Sequence, residues 1–224
     1  QGGIVTLKAE ADCKLAVLAY TPVNGNVPCH LVLSPDGKFI YTANYSSANI
    51  TELPLKNGVP QSPTVIPHEG KGSTARQEKA HPHFVGFDPA KENLYAVDLG
   101  LDQIRVYRWN AGQGIDKTPV EIIQLHAGAG PRHLVFSPDG KILYVANELD
   151  STVSSFVRLN GKWHPAQTLR TLKETPKTRN YPGAIRITKD GKFLFVSNRG
   201  HNSIALLETD GSGTMKLLAT TDCN

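Results

Sequence analysis

The sequence holds 224 residues, 39% of them hydrophobic and 20% charged, which is enough for a sizeable core and unlike either a disordered polyampholyte or a membrane protein. Lys and Arg number 24 against 20 Asp and Glu, a mild excess spread along the chain that is weak evidence for nucleic acid and fits a small anionic ligand as well. No apolar run approaches the about 18–20 residues that a bilayer crossing needs. Cys13, Cys29 and Cys223 are an odd number at wide spacing, so neither a disulfide framework nor a zinc pair is visible and a reducing, cytoplasmic compartment is expected.

In chain order, Gln1-Gly2-Gly3 carries no signal pattern and is not a natural start, which predicts a piece of a longer chain. Ile4 to Leu7 and Leu15 to Tyr20 then read as the last two strands of a four-stranded unit whose first half is absent. From Pro28 onward the chain repeats itself. Pro28 to Asn44 recurs as Pro131 to Asn147, with looser copies from Pro82 to Asp98 and from Pro182 to Asn198. The leading prolines fall 54, 49 and 51 residues apart.

Each repeat opens with two short runs rich in β-branched and aromatic residues, separated by a turn such as Ser34-Pro35-Asp36-Gly37. There proline presets φ, aspartate bonds its own backbone and glycine takes the positive φ. Third runs follow at Asn49 to Leu55, Gln103 to Trp109, Thr152 to Leu159 and Ser203 to Glu208. Fourth runs follow at Pro63 to Pro67, Pro119 to Leu125, Ala166 to Leu172 and Met215 to Thr220. No segment of ten or more residues has a helical period. Four antiparallel strands every ~50 residues predict an all-β fold of β-propeller blades. The expected division is a partial blade over 1–22 and full blades over 23–75, 76–126, 127–176 and 177–224, about four and a half in all.

The repeat register converts sequence into geometry. In each blade the residue after the leading proline and the residue after the Asn or Asp lie at the open end of one hairpin, and innermost strands line a propeller's channel. The first position reads Cys29, His83, Arg132, Gly183; the second reads Tyr45, Leu99, Glu148, Arg199. A structural column should look alike from blade to blade, as Tyr41, Tyr95, Tyr144 and Phe195 do. These two columns diverge and carry charge, which predicts a cluster of His83, Arg132, Glu148 and Arg199 at one channel mouth. Two guanidiniums suit a phosphate or carboxylate, and His83 or Glu148 can move a proton. A purely structural Arg132–Glu148 pair across one hairpin is the alternative.

His81 and His201 are placed at the same rim as further substrate-binding candidates. Asp98 and Asp102 read as turn formers or as partners orienting a base. His30 and His133 share a packing column, and His68, His126 and His164 are expected to be solvated. Asn44-Tyr45-Ser46 and Asn49-Ile50-Thr51 match the glycosylation pattern, with nothing else suggesting secretion. Neither a metal motif nor a cofactor motif is present.

The stretches Asn24-Gly25-Asn26, Arg76-Gln77-Glu78, His81-Pro82-His83, Asp98-Leu99-Gly100-Leu101-Asp102, Gly130-Pro131-Arg132-His133, Asn147-Glu148-Leu149 and Ser197-Asn198-Arg199-Gly200-His201 resemble, in order, those of the seven-bladed propeller lactonases. That family includes one class of 6-phosphogluconolactonases and the fungal carboxymuconate cyclases. The resemblance implies that His83, Arg132, Glu148 and Arg199 line an active-site cleft. It also implies metal-independent, cofactor-free hydrolysis of a small anionic sugar lactone, foremost 6-phosphogluconolactone. A carboxymuconate-lactonizing cycloisomerase and a non-catalytic binding module are the alternatives. Two departures stand out: about two and a half blades are missing, and Cys29 and Tyr45 offer no charge. An incomplete arc is expected to self-associate through its open blade edges.

Overall fold

The computed structural model describes residues 2–174 and 179–223. The chain is all-β, with antiparallel sheets following one another along the sequence. The first sheet pairs β1 (Gly3–Ala9) with β2 (Leu15–Pro22). The next contains β3 (Pro28–Leu33), β4 (Phe39–Asn44), β5 (Asn49–Lys56), β6 (Val59–Pro60) and β7 (Thr64–Pro67). A third contains β8 (Pro82–Phe87), β9 (Asn93–Asp98), β10 (Gln103–Asn110), β11 (Gly114–Ile115) and β12 (Glu121–Gln124). The last two are β13 (Pro131–Phe136), β14 (Ile142–Asn147), β15 (Thr152–Leu159) and β16 (Lys162–Arg170), then β17 (Tyr181–Ile187), β18 (Phe193–Arg199), β19 (Ser203–Thr209) and β20 (Met215–Asp222). Helical structure among the described residues is confined to two single 3₁₀ turns, Ala11–Cys13 and Ala75–Gln77. None is long or apolar enough to cross a membrane.

In the second and third sheets the fourth strand is split, β6 and β7 both pairing with β5, and β11 and β12 both with β10. Pro63 and Pro119 stand just ahead of β7 and β12 and have no N–H to give a ladder. The turn chemistry follows the residues. Ser34 Oγ donates to Asp36 Oδ1 at 2.6 Å, Lys38 N donates to the same oxygen at 3.0 Å, and Gly37 takes φ +70°. The Asp88 turn lacks the glycine, and Lys91 occupies that conformation at φ +59°. Asp88 compensates by accepting from Glu92 N and Asn93 N.

Three apolar clusters form between successive sheets. One joins Tyr41, Ile50 and Ile66 to Val85, Leu94 and Tyr107; the next joins Tyr95 and Ile104 to Phe136, Leu143 and Trp163; the last joins Tyr144 and Val153 to Ile185, Val196 and Leu207. The tyrosine column ties each sheet to the following one. Trp163 Nε1 donates to Tyr95 Oη at 3.0 Å, and Tyr144 Oη lies 2.7 Å from Thr209 Oγ1. Phe195, the same position in the last sheet, is 43% exposed. The glycosylation pattern is silent here: Asn44 and Asn49 are buried, and Asn44 Nδ2 donates to Asn49 Oδ1 at 2.7 Å.

Candidate active site

Each inner hairpin opens with a β-bulge. Pro28 pairs with Asn44 and His30 with Ala43, so Cys29 is an extra residue on its strand. His83 and Arg132 occupy the same place between Pro82 and Phe84 and between Pro131 and His133. In the fifth sheet the interruption falls at Gly183 and Ala184, where Ser197 Oγ accepts from Ala184 N. A bulge re-aims its side chain out of the pleat, and here it turns the first column toward the hairpin's open end. The second column is fixed just beyond the partner strand. Tyr45 N donates to Val27 O, Leu99 N to His81 O and Glu148 N to Gly130 O. Gly130 has φ +60°, and a Cβ there would collide with Leu149.

Glu148 is the centre. Its side chain is 7% exposed and meets three guanidiniums. Arg199 Nη2 donates to Oε2 at 2.6 Å and Arg76 Nη2 to Oε1 at 3.1 Å. Arg132 Nε lies 3.0 Å from Oε2 as an ion pair, without hydrogen-bond alignment. Arg199 Nε is held by Tyr181 O at 3.1 Å. Arg132 Nη1 is 3.3 Å from His133 Nε2; since arginine only donates, His133 Nε2 is the acceptor and its proton is on Nδ1. The alternative of a lone Arg132–Glu148 pair is therefore too small a description. One carboxylate against three cations leaves a local excess of two positive charges. The carboxylate is buried, while Arg199 and Arg76 are about half exposed.

His83 sits beside this cluster without bonding to Glu148. Its ring lies edge-on to Tyr45 at 5.7 Å and to His133 at 5.6 Å, and its Nδ1 is buried without a partner. Burial, then the charge of Arg132, lowers its pKa to about 4. The same two causes take His133 to about 2. Cys29, in the same column, is no thiolate: burial raises its pKa to about 11. Its Sγ instead approaches His83 O at 3.4 Å, across to the next sheet.

The other rim candidates separate. His81 stacks under Tyr45 at 4.2 Å, with Nδ1 on Tyr45 O at 2.9 Å and Nε2 near Glu78 at 3.2 Å. Both of its ring nitrogens are thus engaged by protein. His201 is exposed and its Nδ1 meets Ser203 Oγ at 2.8 Å. Asp98 and Asp102 are buried anchors. Asp98 accepts from the backbone of His81, Gly100 and Leu101 and meets His68 Nδ1 at 2.7 Å. His68 is accordingly buried, not solvated as its loop context suggests, and its Nε2 lies 3.0 Å from Tyr107 Oη. Asp102 accepts from Gln77 Nε2 and from the backbones of Gly128 and Gly130, which sets the loop whose Gly130 carbonyl holds Glu148 N.

Two contributors are not among the charged members of the repeat columns. Arg76 lies in a connection between sheets, where no column exists. Tyr45 stands in the second column but lacks charge; its Oη accepts Arg76 Nη2 at 3.3 Å. The stretch Arg76-Gln77-Glu78 was the signal available for the first, and column membership for the second. Among the described residues no group of three His, Cys, Asp or Glu side chains is placed to hold a metal ion.

Comparison with known proteins agrees with this architecture. The family model described as lactonase, 7-bladed beta-propeller, matches residues 1–224. A 6-phosphogluconolactonase of Bacillus subtilis is 34% identical over 215 residues, covering 94% of this chain and 61% of its own. A protein of Lactobacillus plantarum superposes with a TM-score of 0.91 at 28% identity, covering 99% of this chain and 64% of its own. The periplasmic gluconolactonase PpgL of Pseudomonas aeruginosa gives 0.84 at 28% identity, covering 94% and 61%. The chain spans about three fifths of the length of the curated relatives it matches.

Proposed function

The chain belongs to the seven-bladed β-propeller lactonase family, and from that membership and the Glu148 cluster we propose that it serves the hydrolysis of a sugar lactone, foremost 6-phosphogluconolactone. The observation that carries the reading is the convergence of Arg132, Arg199 and Arg76 on one buried carboxylate. That surplus of positive charge matches an oxyanion forming on the lactone carbonyl and the carboxylate that ring opening releases. Arg132 and Arg199 are the anion-binding pair. Glu148 or His83 takes the proton of the attacking water; His83 is neutral at pH 7 because burial and Arg132 depress its pKa. Water adds to the carbonyl carbon, the ring C–O bond breaks, and the proton passes to the departing ring oxygen as the acid forms. His201 is assigned to the substrate rim, and His81 supports Tyr45 from below.

The reading places the protein in the cytoplasm, supported by three cysteines that are all free. It includes self-association through open blade edges, supported by the exposure of Leu31 and Leu33 on the second sheet and of Phe195 on the fifth. The test is the initial rate of 6-phosphogluconolactone opening above the spontaneous rate, for the chain and for Arg132→Ala and Glu148→Ala. Turnover that both substitutions reduce at least tenfold supports the assignment; equal rates in all three remove it.

A further inference from the structure

A cavity of about 660 Å³ opens beside the Glu148 cluster, a size typical of small-molecule sites. Glu148, Arg132 and Arg199 do not line it, but Arg76 belongs to both places. Its Nη2 reaches Glu148 Oε1 at 3.1 Å, and its side chain forms part of the cavity wall. Leu149, the residue after Glu148, is also in the wall. A ligand whose reacting end meets Glu148 can therefore extend past Arg76 into this second compartment.

The wall carries more guanidiniums than carboxylates. Arg170 and Arg179 join Arg76, against the carboxylates of Asp150 and Glu174. Asp150 is already engaged, with Oδ2 at 2.6 Å from His126 Nε2 and Oδ1 accepting Thr152 Oγ1 at 2.8 Å. Arg179 is exposed, and its one side-chain hydrogen bond in the described structure is a long one, Nη1 to Tyr181 Oη at 3.4 Å. A guanidinium fork with N–H groups to spare, beside a second at Arg76, fits a tetrahedral dianion better than a neutral polyol.

We infer that this cavity is the subsite for a phosphate monoester on the substrate's distal end, with Arg179 and Arg76 as its donors, while the lactone carbonyl faces the Glu148 cluster. The inference rests on the lactonase reading and adds the basis of its selectivity for a phosphorylated substrate. It leaves Arg132 and Arg199 to the reacting carbonyl.

The test is calorimetric binding of 6-phosphogluconate and of gluconate to the chain and to Arg179→Gln, with thermal melts confirming that the variant folds. The expected result is at least tenfold tighter binding of 6-phosphogluconate by the chain. Arg179→Gln should lose most of that preference while the gluconate Kd moves less than twofold. Equal affinity of the chain for the two acids, no binding of 6-phosphogluconate, or a variant that weakens both ligands alike or neither overturns the subsite. Turnover assays separate this from the parent reading. Lactone opening without phosphate preference removes the subsite alone, whereas phosphate preference without any lactone opening removes the catalytic reading and leaves the subsite.

Discussion

At the scale of single residues, charge balance around Glu148 decides the outcome. Glu148→Gln keeps the shape but leaves three guanidiniums without their shared anion. Two of the three are half exposed, so water softens the loss and the expected destabilisation is about 1–2 kcal/mol, below that of a fully buried pair. The expected loss of kcat is about hundredfold or more, since the variant removes a proton acceptor and the fixed geometry of its cations. Thermal melts and initial rates measure the two effects separately. His83 sets a pH signature. Its depressed pKa of about 4 makes the neutral imidazole the form present at pH 7. If it is the base, rates corrected for spontaneous opening are flat above about pH 5 and fall as pH drops through about 4. His83→Gln removes that limb; an acid limb unchanged in the variant assigns the proton transfer to Glu148.

Much of this cluster was legible at the residue scale because repeats make exceptions visible. Arg132, Glu148 and Arg199 stand in two columns whose members differ from blade to blade while the neighbouring tyrosine column stays alike, and the structure brings all three together. Arg76 was not legible in that way, because it lies on a loop with no counterpart to compare. His68 was misread for a related reason. A loop histidine looks solvated until a buried acceptor is found for it, and Asp98 comes from a different sheet.

At the scale of elements, the hairpin with its opening bulge is the working unit, and its cost is the burial of imidazoles. His30, His83 and His133 follow the leading prolines on adjacent strands, and all three have lowered pKa values, His83 to about 4 and His133 to about 2, with burial as the main cause. The unfolded chain binds these protons near the ordinary pKa of about 6.5, and the folded chain does not. Stability is therefore highest above pH 6.5 and falls as pH decreases through the window down to about 4 and below. A melting series from pH 7.5 to 4 should show a steadily falling Tm, flattened in a His133→Phe variant. The loop anchors make a second prediction. Asp102→Ala strands the N–H groups of Gly128 and Gly130 and the amide of Gln77. A loss of about 2–4 kcal/mol is expected from denaturant titration, at the ~1–3 kcal/mol typical for each buried unpaired group with partial relief by water. The bulges were not legible beforehand. The proline-led motif marks where a strand begins, while the extra residue appears only once the two strands are set in register.

At the scale of the molecule, the second to fifth sheets bury each other through three clusters, so the second sheet on one side and the fifth on the other keep a face outside them. Phe195 shows what that means for the tyrosine column in the fifth sheet, and Leu31 and Leu33 show it in the second. Sedimentation velocity over a concentration series should reveal reversible association that Leu31→Glu with Leu33→Glu weakens. A monomer at all concentrations would contradict association through these faces. The repeat period predicted this architecture from sequence because each unit carries its own turn, strands and tyrosine. The split fourth strands were less predictable, since where a proline interrupts the outer ladder depends on the neighbouring sheet's cover.

The account as a whole depends on one small molecule being gripped by side chains from separate sheets. Its most direct test is a crystal structure of the chain with 6-phosphogluconate. The account predicts the product carboxylate within hydrogen-bonding distance of Arg132 and Arg199 beside Glu148, and the phosphate in the cavity bordered by Arg76 and Arg179. An occupied ligand elsewhere on the protein, with these four arginines untouched, would contradict it.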